Sequence, residues 1–132
     1  MKSRLVIKSE ISSLETVYNW VEQSLIESVD EKILRNILLI TQEMVTNSIL
    51  HGNKNIVEKE VIIEVDILSN IITIEITDAG EGISRLPLKE EAEKLDYLAE
   101  NGRGLKLAVL MTDKIELHGS RIKLIFKKRE ID

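Results

Sequence analysis

Three short clusters carry residue types that can do chemistry, at spacings that let them act together. Glu43, Asn47 and His51 recur every fourth residue, so on a helix they form one line, a turn apart, along the border of an apolar stripe. A carboxylate beside a carboxamide suits a metal with oxygen ligands, or a hydroxyl that must be oriented and deprotonated. The same line also fits a solvated helix edge, with His51 set against the C-terminal end of the helix dipole. Asp78-Ala79-Gly80-Glu81-Gly82 follows directly on an alternating apolar run. Its glycines permit a tight path and close approach of a ligand, and its Asp can accept from an exocyclic amine. A turn closed by an Asx hydrogen bond is the structural alternative. Gly102-Arg103-Gly104-Leu105 opens a helical segment, where free amides, the positive dipole end and a guanidinium favour an anion. It has neither the G-K-[ST] of a Walker A loop nor the third glycine and βαβ context of a dinucleotide fingerprint.

The elements that must position these clusters follow from periodicity. Leu5-Val6-Ile7 reads as a first strand. Ile11, Leu14, Tyr18, Val21 and Leu25 give helical spacing, with Ser12 and Glu15 fitting a capping box and Ser9 as a rival cap. Trp20 falls on the far side of that stripe, as a scattered surface aromatic, a covered residue or an interface anchor. Asp30 caps a second helix bearing Ile33, Ile37, Ile40 and Met44, which stops near His51 at the breaker cluster Gly52-Asn53-Lys54-Asn55. Two alternating, β-branched runs over 61–67 and 71–76 form a hairpin turning at Ser69-Asn70, with Glu64, Asp66, Thr73 and Glu75 outward. From Ile83 to Glu100 the pattern is weak and charged, the least core-like part of the chain. A helix over Leu105 to Met111 and a closing hairpin, Lys114–Leu117 with Arg121–Phe126 around Gly119-Ser120, complete it. The order predicts a two-layer α/β sandwich, with a mixed, largely antiparallel sheet and helices on one face. A doubly wound fold would need repeated strand–helix crossovers.

Composition bounds what such a chain can do. With 132 residues, the expectation is one domain over 1–132, and 43% apolar residues suffice for a core. Eighteen basic against 23 acidic residues give a net charge of -5, which disfavours nucleic acid or an anionic membrane as principal partner. The tail residues Lys123, Lys127, Lys128 and Arg129 read as a solvated strand end. The absence of Cys excludes disulfides and thiolate catalysis and permits a cytoplasmic location. His51 and His118 lie in different elements and make no zinc site by themselves. No apolar run approaches the ~18 residues of a membrane span, and the basic opening Met1-Lys2-Ser3-Arg4 is too short for a signal peptide.

In this order the clusters (E-x-x-x-N on a helix, D-x-G-x-G after a strand, a weakly patterned segment, G-x-G at a helix start) resemble the GHKL ATP-binding fold of gyrase, histidine kinases and MutL. Within that superfamily the chain most resembles the small bacterial anti-sigma factor serine kinases, from about Ser9 to Lys127. Glu43-Met-Val-Thr-Asn47-Ser-Ile-Leu-His51-Gly52 is similar to their N box, and Gly119-Ser120 to their final Gly-Thr. The resemblance implies Glu43 as general base on a substrate serine and Asn47 as the ligand of a Mg²⁺ that bridges the phosphates of ATP. It implies that Asp78 reads the adenine amine, that Gly80 and Gly82 let the base approach, and that Gly102, Arg103, Gly104 and Leu105 cradle phosphates beside Ser120. Residues 83–100 would then be an ATP lid. The implied partners are an alternative sigma factor, a STAS-domain anti-sigma antagonist phosphorylated on serine, and a second copy of the chain pairing through Lys2 to Leu25. Lys106, a short stretch before Gly119 and a lid without Ser or Thr beside Asn101 depart from that pattern. The rival reading is a switch kinase, or a non-catalytic nucleotide-binding regulator, acting on a signalling scaffold without a sigma factor.

Overall fold

β-Branched alternation places a sheet at the centre of the molecule. The computed structural model describes residues 1–83, 88–93 and 103–128. Strands β1 (Lys2–Lys8), β2 (Glu60–Ile67), β3 (Ile71–Thr77), β4 (Lys114–His118) and β5 (Arg121–Lys127) form one sheet in the order β1-β2-β3-β5-β4. All four pairings are antiparallel, so the expected mixed component is absent among the described strands. Register puts one apolar set on one face: Leu5 opposite Ile63, Ile63 opposite Ile76, Ile76 opposite Ile122 and Ile122 opposite Leu117. A slip of one residue would turn that whole row to solvent, which is why the register is strongly specified.

The opposite face carries charge, as the alternation predicts. Lys2 pairs with Glu64 at 3.6 Å and Arg121 with Glu75 at 3.8 Å across neighbouring strands. Thr73 is the exception: it lies on this outer face yet is only 5% exposed. On the edge strand β4, a hydrogen bond from Lys114, then one from His118, holds the Glu116 carboxyl below its ordinary range. Such charges on an edge discourage pairing with another chain.

Helices α1 (Leu14–Leu25), α2 (Glu31–Asn47) and α4 (Arg103–Met111) cover the apolar face, joined by the short α3 (Lys89–Glu93). Asp30 caps α2 as expected, its carboxylate accepting from Ile33 N at 3.0 Å. In α1 the details differ. A 3₁₀ turn at Ile11–Ser13 precedes it, Ser13 is the N-cap without a side-chain bond, and the Ser12–Glu15 capping box does not form. Ser9 caps nothing either, because its hydroxyl is buried and bonded to Lys59 O at 2.5 Å. The buried stripe of α1 is Val17, Val21 and Leu25, with Tyr18 and Ile11 exposed. Trp20 is half-buried against the core, so it is a covered residue and no far-side anchor. The 3₁₀ turn shifts the helical phase, which periodicity counted from Ile11 misses.

Two buried polar atoms in α2, the Thr41 hydroxyl and Gln42 Oε1, have no hydrogen-bond partner among the described residues. Thr41 is 2% exposed. Leaving such a group unpaired costs about 1–3 kcal/mol, so Thr41→Val, which keeps the shape and removes the hydroxyl, is expected to stabilise the fold by about 1 kcal/mol. Thermal unfolding should show a midpoint a few degrees higher. A lowered midpoint would mean that the hydroxyl is bonded after all.

Candidate functional site

The line of polar residues on α2 ends in a change of helical pitch. After Asn47 the helix widens into one π turn, Ser48–Gly52, closed by Asn53 N donating to Ser48 O at 2.8 Å. Such turns concentrate at functional sites because they re-aim side chains that an α-helix would space evenly. Lys54 and Asn55 then take left-handed φ of 54° and 60° and end the element.

The Asp78 turn lies directly against this π turn. Asp78 Oδ1 accepts from Gly80 N at 2.8 Å, so the Asx closure anticipated as the alternative is present. It does not consume the carboxylate, which has a second oxygen. A Cβ on Gly52 would overlap that carboxylate, 2.5 Å from Asp78 Cγ and 2.9 Å from Oδ1. A Cβ on Gly80 would sit 2.6 Å from the Gly52 carbonyl oxygen. The Gly52 backbone therefore meets both the Asp78 side chain and the Gly80 backbone, a closeness that only glycine at both positions allows. Gly82, at φ +91°, packs on the Gly119 carbonyl of the β4–β5 turn. Asp78 N donates to Ser120 O at 3.1 Å, tying the same turn from the other side.

Between these parts lies a cavity of about 600 Å³. That is within the usual range for a small-molecule or cofactor site. Met44, Ile76, Ile83, Leu105, Leu117 and Ile122 give it an apolar lining, and Asn47, Ser48, His51, Asp78 and Ser120 give it polar groups. Lys54, Lys59 and Arg121 also line it, three cations to set beside Asp78 and Glu81. An apolar slot with acidic acceptors and nearby cations suits a ligand that joins a flat base to an anion.

Of the residues singled out from sequence, Asn47, Asp78, Gly80, Gly82, Leu105 and Ser120 share this cavity. Gly104 is buried where α4 meets α2: a Cβ there would lie 3.0 Å from Asn47 Nδ2 and 3.3 Å from Glu43 Cβ. Glu43 is thus beside the start of α4, one turn before Asn47 and outside the cavity wall. Gly102 lies outside the described residues, as do most of the 83–100 segment and Arg129; for Arg103 the backbone places the start of α4. Within that segment, α3 packs on α4 and buries Ala92. Lys106, the departure after G-x-G-L, is half-buried on α4.

Sequence reasoning missed the cations and undervalued Asn53. Lys54 belongs to the breaker cluster and Lys59 lies between it and the run over 61–67, and nothing in their spacing points at the cavity. Asn53, read as a helix breaker, is fully buried and bonded in three directions. No helix is long and apolar enough to cross a membrane among the described residues.

Comparison with known proteins bears on the family and the fold. Residues 7–128 match the family described as histidine kinase-like ATPase domain. Among curated proteins, an anti-sigma F factor of Clostridium perfringens is 34% identical over 104 residues, 73% of this chain and 72% of that protein. An anti-sigma F factor of Clostridium beijerinckii is 31% identical over 77% of this chain and 73% of its own length. One from Clostridium botulinum is 42% identical over 60 residues, so the chain spans only 41% of that relative. Of solved structures, the RsbU and RsbW domains of a Mycobacterium tuberculosis protein superpose with a TM-score of 0.65 at 13% identity, covering 98% of this chain and 32% of that one. The histidine kinase domain of an Erythrobacter litoralis blue-light-activated kinase gives 0.53 at 15%, covering 92% and 62%. Those two likenesses concern the fold alone. The chain belongs to the histidine kinase-like ATPase domain family, an ATP-binding fold, in the branch that includes the anti-sigma F factors.

Proposed function

We propose that the protein is an ATP-dependent serine kinase and anti-sigma factor, one domain over 1–132. In this reading it binds an alternative sigma factor and phosphorylates a STAS-domain antagonist on serine. The observation that supports it most is the convergence of Asn47, Asp78, Leu105 and Ser120 on one apolar cavity, with Glu43 just beyond it beside the start of α4. The relatives named anti-sigma F factor supply the partner class.

In this proposal the adenine enters the apolar slot and its amine donates to Asp78. The phosphates run toward the N-terminus of α4, where free amides and the dipole favour them. Asn47 offers its carboxamide oxygen to Mg²⁺, which when bound neutralises phosphate charge. Among the described residues no three His, Asp or Glu side chains gather as a metal cage. One protein ligand, with phosphate oxygens and water completing the shell, is the ordinary arrangement for Mg²⁺ on a nucleotide. Glu43 accepts the proton of the acceptor serine as that oxygen bonds to the γ-phosphorus and the bond to ADP breaks. Residues 83–100 act as the lid. Calorimetric titration with ATP and Mg²⁺, then transfer to a STAS-domain protein, tests the reading; failure of both would remove it.

The chain also pairs with a second copy in this proposal, through part of Lys2 to Leu25. Val6, Ile11 and Tyr18 expose apolar surface there, 42%, 47% and 37%. These side chains replace Trp20 as the anchors, since aromatic and aliphatic groups dominate such contacts. Light scattering at micromolar concentration is expected to report about twice 15.0 kDa. A single-chain mass, unchanged by ATP, would contradict pairing.

A further inference from the structure

We propose that Asn53 is the positioning residue that sets the Asp78 carboxylate for base recognition, through a buried relay running back to Ser9. The inference rests on the proposal that Asp78 accepts from the adenine amine, and adds a residue that the nucleotide does not touch.

The relay has a defined direction. Ser9, at the end of β1, is 1% exposed, and its hydroxyl donates to Lys59 O at 2.5 Å. Having spent its one proton there, it can only accept from Asn53, whose Nδ2 donates to it at 2.8 Å. The second Nδ2 proton goes to Glu60 O at 3.0 Å. Both donors being used, Asn53 Oδ1 must face the other way, and it accepts from Ala79 N at 2.7 Å. The orientation of the carboxamide is therefore dictated by its partners, because reversing it would set its N–H groups against Ala79 N–H and leave the Glu60 carbonyl unserved.

Ala79 follows Asp78 directly, so the consequence falls on the site. Three successive amides are each held by a different part of the fold: Asp78 N by Ser120 O at 3.1 Å, Ala79 N by Asn53 Oδ1, and Gly80 N by Asp78 Oδ1 at 2.8 Å. Oδ2 is the carboxylate oxygen this turn does not use. A helix-ending Asn needs no such burial; a solvated Asn or Gly would end the π turn as well. Full burial of a carboxamide is costly unless every group is paired, as it is here. Asn53 also closes the π turn that follows Asn47, so one residue joins the proposed metal-binding helix to the base-reading loop.

The test is calorimetric titration of the full chain, parent and variants, with ATP and with inosine triphosphate, which carries a carbonyl where adenine has its amine. Thermal midpoints are recorded alongside. Asn53→Ala is expected to lose about tenfold or more in ATP affinity, the scale of one hydrogen bond to a charged group, and to leave the weaker inosine triphosphate affinity nearly unchanged. The preference for ATP therefore collapses. Ser9→Ala should show a smaller loss in the same direction, since it unpairs Nδ2 but spares the Ala79 bond. Equal losses for both nucleotides would make Asn53 a plain structural support and overturn the inference, as would an unchanged preference. Should Asn53→Ala fail to fold, Ser9→Ala carries the test, and a parental preference in it overturns the proposal. A parent that does not prefer ATP overturns the reading of Asp78 itself, a result distinct from the others.

Discussion

Glu43→Ala is expected to bind ATP with Mg²⁺ as the parent does and to transfer phosphate about 10²- to 10⁴-fold more slowly, the usual contribution of a positioned base. The separation follows from position. Glu43 lies outside the cavity wall, beside Gly104, and in the proposed reading it meets the acceptor hydroxyl and not the nucleotide. Asn47 lines the cavity one turn later, so Asn47→Ala should lose the Mg²⁺-dependent part of nucleotide binding. Single-turnover transfer and calorimetry on the same preparations would resolve the two. Parental transfer by Glu43→Ala would place the base elsewhere; lost binding would make Glu43 part of the nucleotide site.

Asp78→Asn should weaken ATP binding about 10- to 100-fold, the range of a hydrogen bond to a charged acceptor, while the fold persists. The Asx turn survives, because the Asn carboxamide oxygen can still accept from Gly80 N. Gly52→Ala reaches the same defect by steric means. Its methyl would overlap the Asp78 carboxylate, so either the side chain rotates out of place or the two loops separate. It should cost stability as well, which Asp78→Asn should not. Titration with ADP giving parental affinity for Asp78→Asn would remove Asp78 from base recognition.

Where residues act locally, the sequence is readable. Asp30 caps α2, the 61–67 and 71–76 runs pair across Ser69-Asn70, and Gly119-Ser120 turns the last hairpin, each from short-range chemistry. The pair Glu43 and Asn47, one turn apart on α2, is legible because helical spacing is local too, whereas His51 falls in the π turn that even spacing does not foresee. The phase of α1 is not, since a 3₁₀ turn at Ile11–Ser13 offsets it and leaves Tyr18 exposed where periodicity expects burial. Nor is the role of Asn53, whose partners Ser9 and Ala79 are brought to it only by closure of the sheet. Lys54, Lys59 and Arg121 come to the cavity the same way, from a loop and from the start of β5. Long-range assembly, not local propensity, decides which polar residues become a site.

The proposed reaction is phosphoryl transfer from ATP to a protein serine. The most direct measurement is the intact mass of a STAS-domain protein from the same genome after incubation with this chain, ATP and Mg²⁺. Addition of one phosphoryl group on a serine is expected, absent with Glu43→Ala. A chain that binds ATP while the STAS-domain protein keeps its mass would contradict it, and would favour a nucleotide-binding regulator without transfer activity.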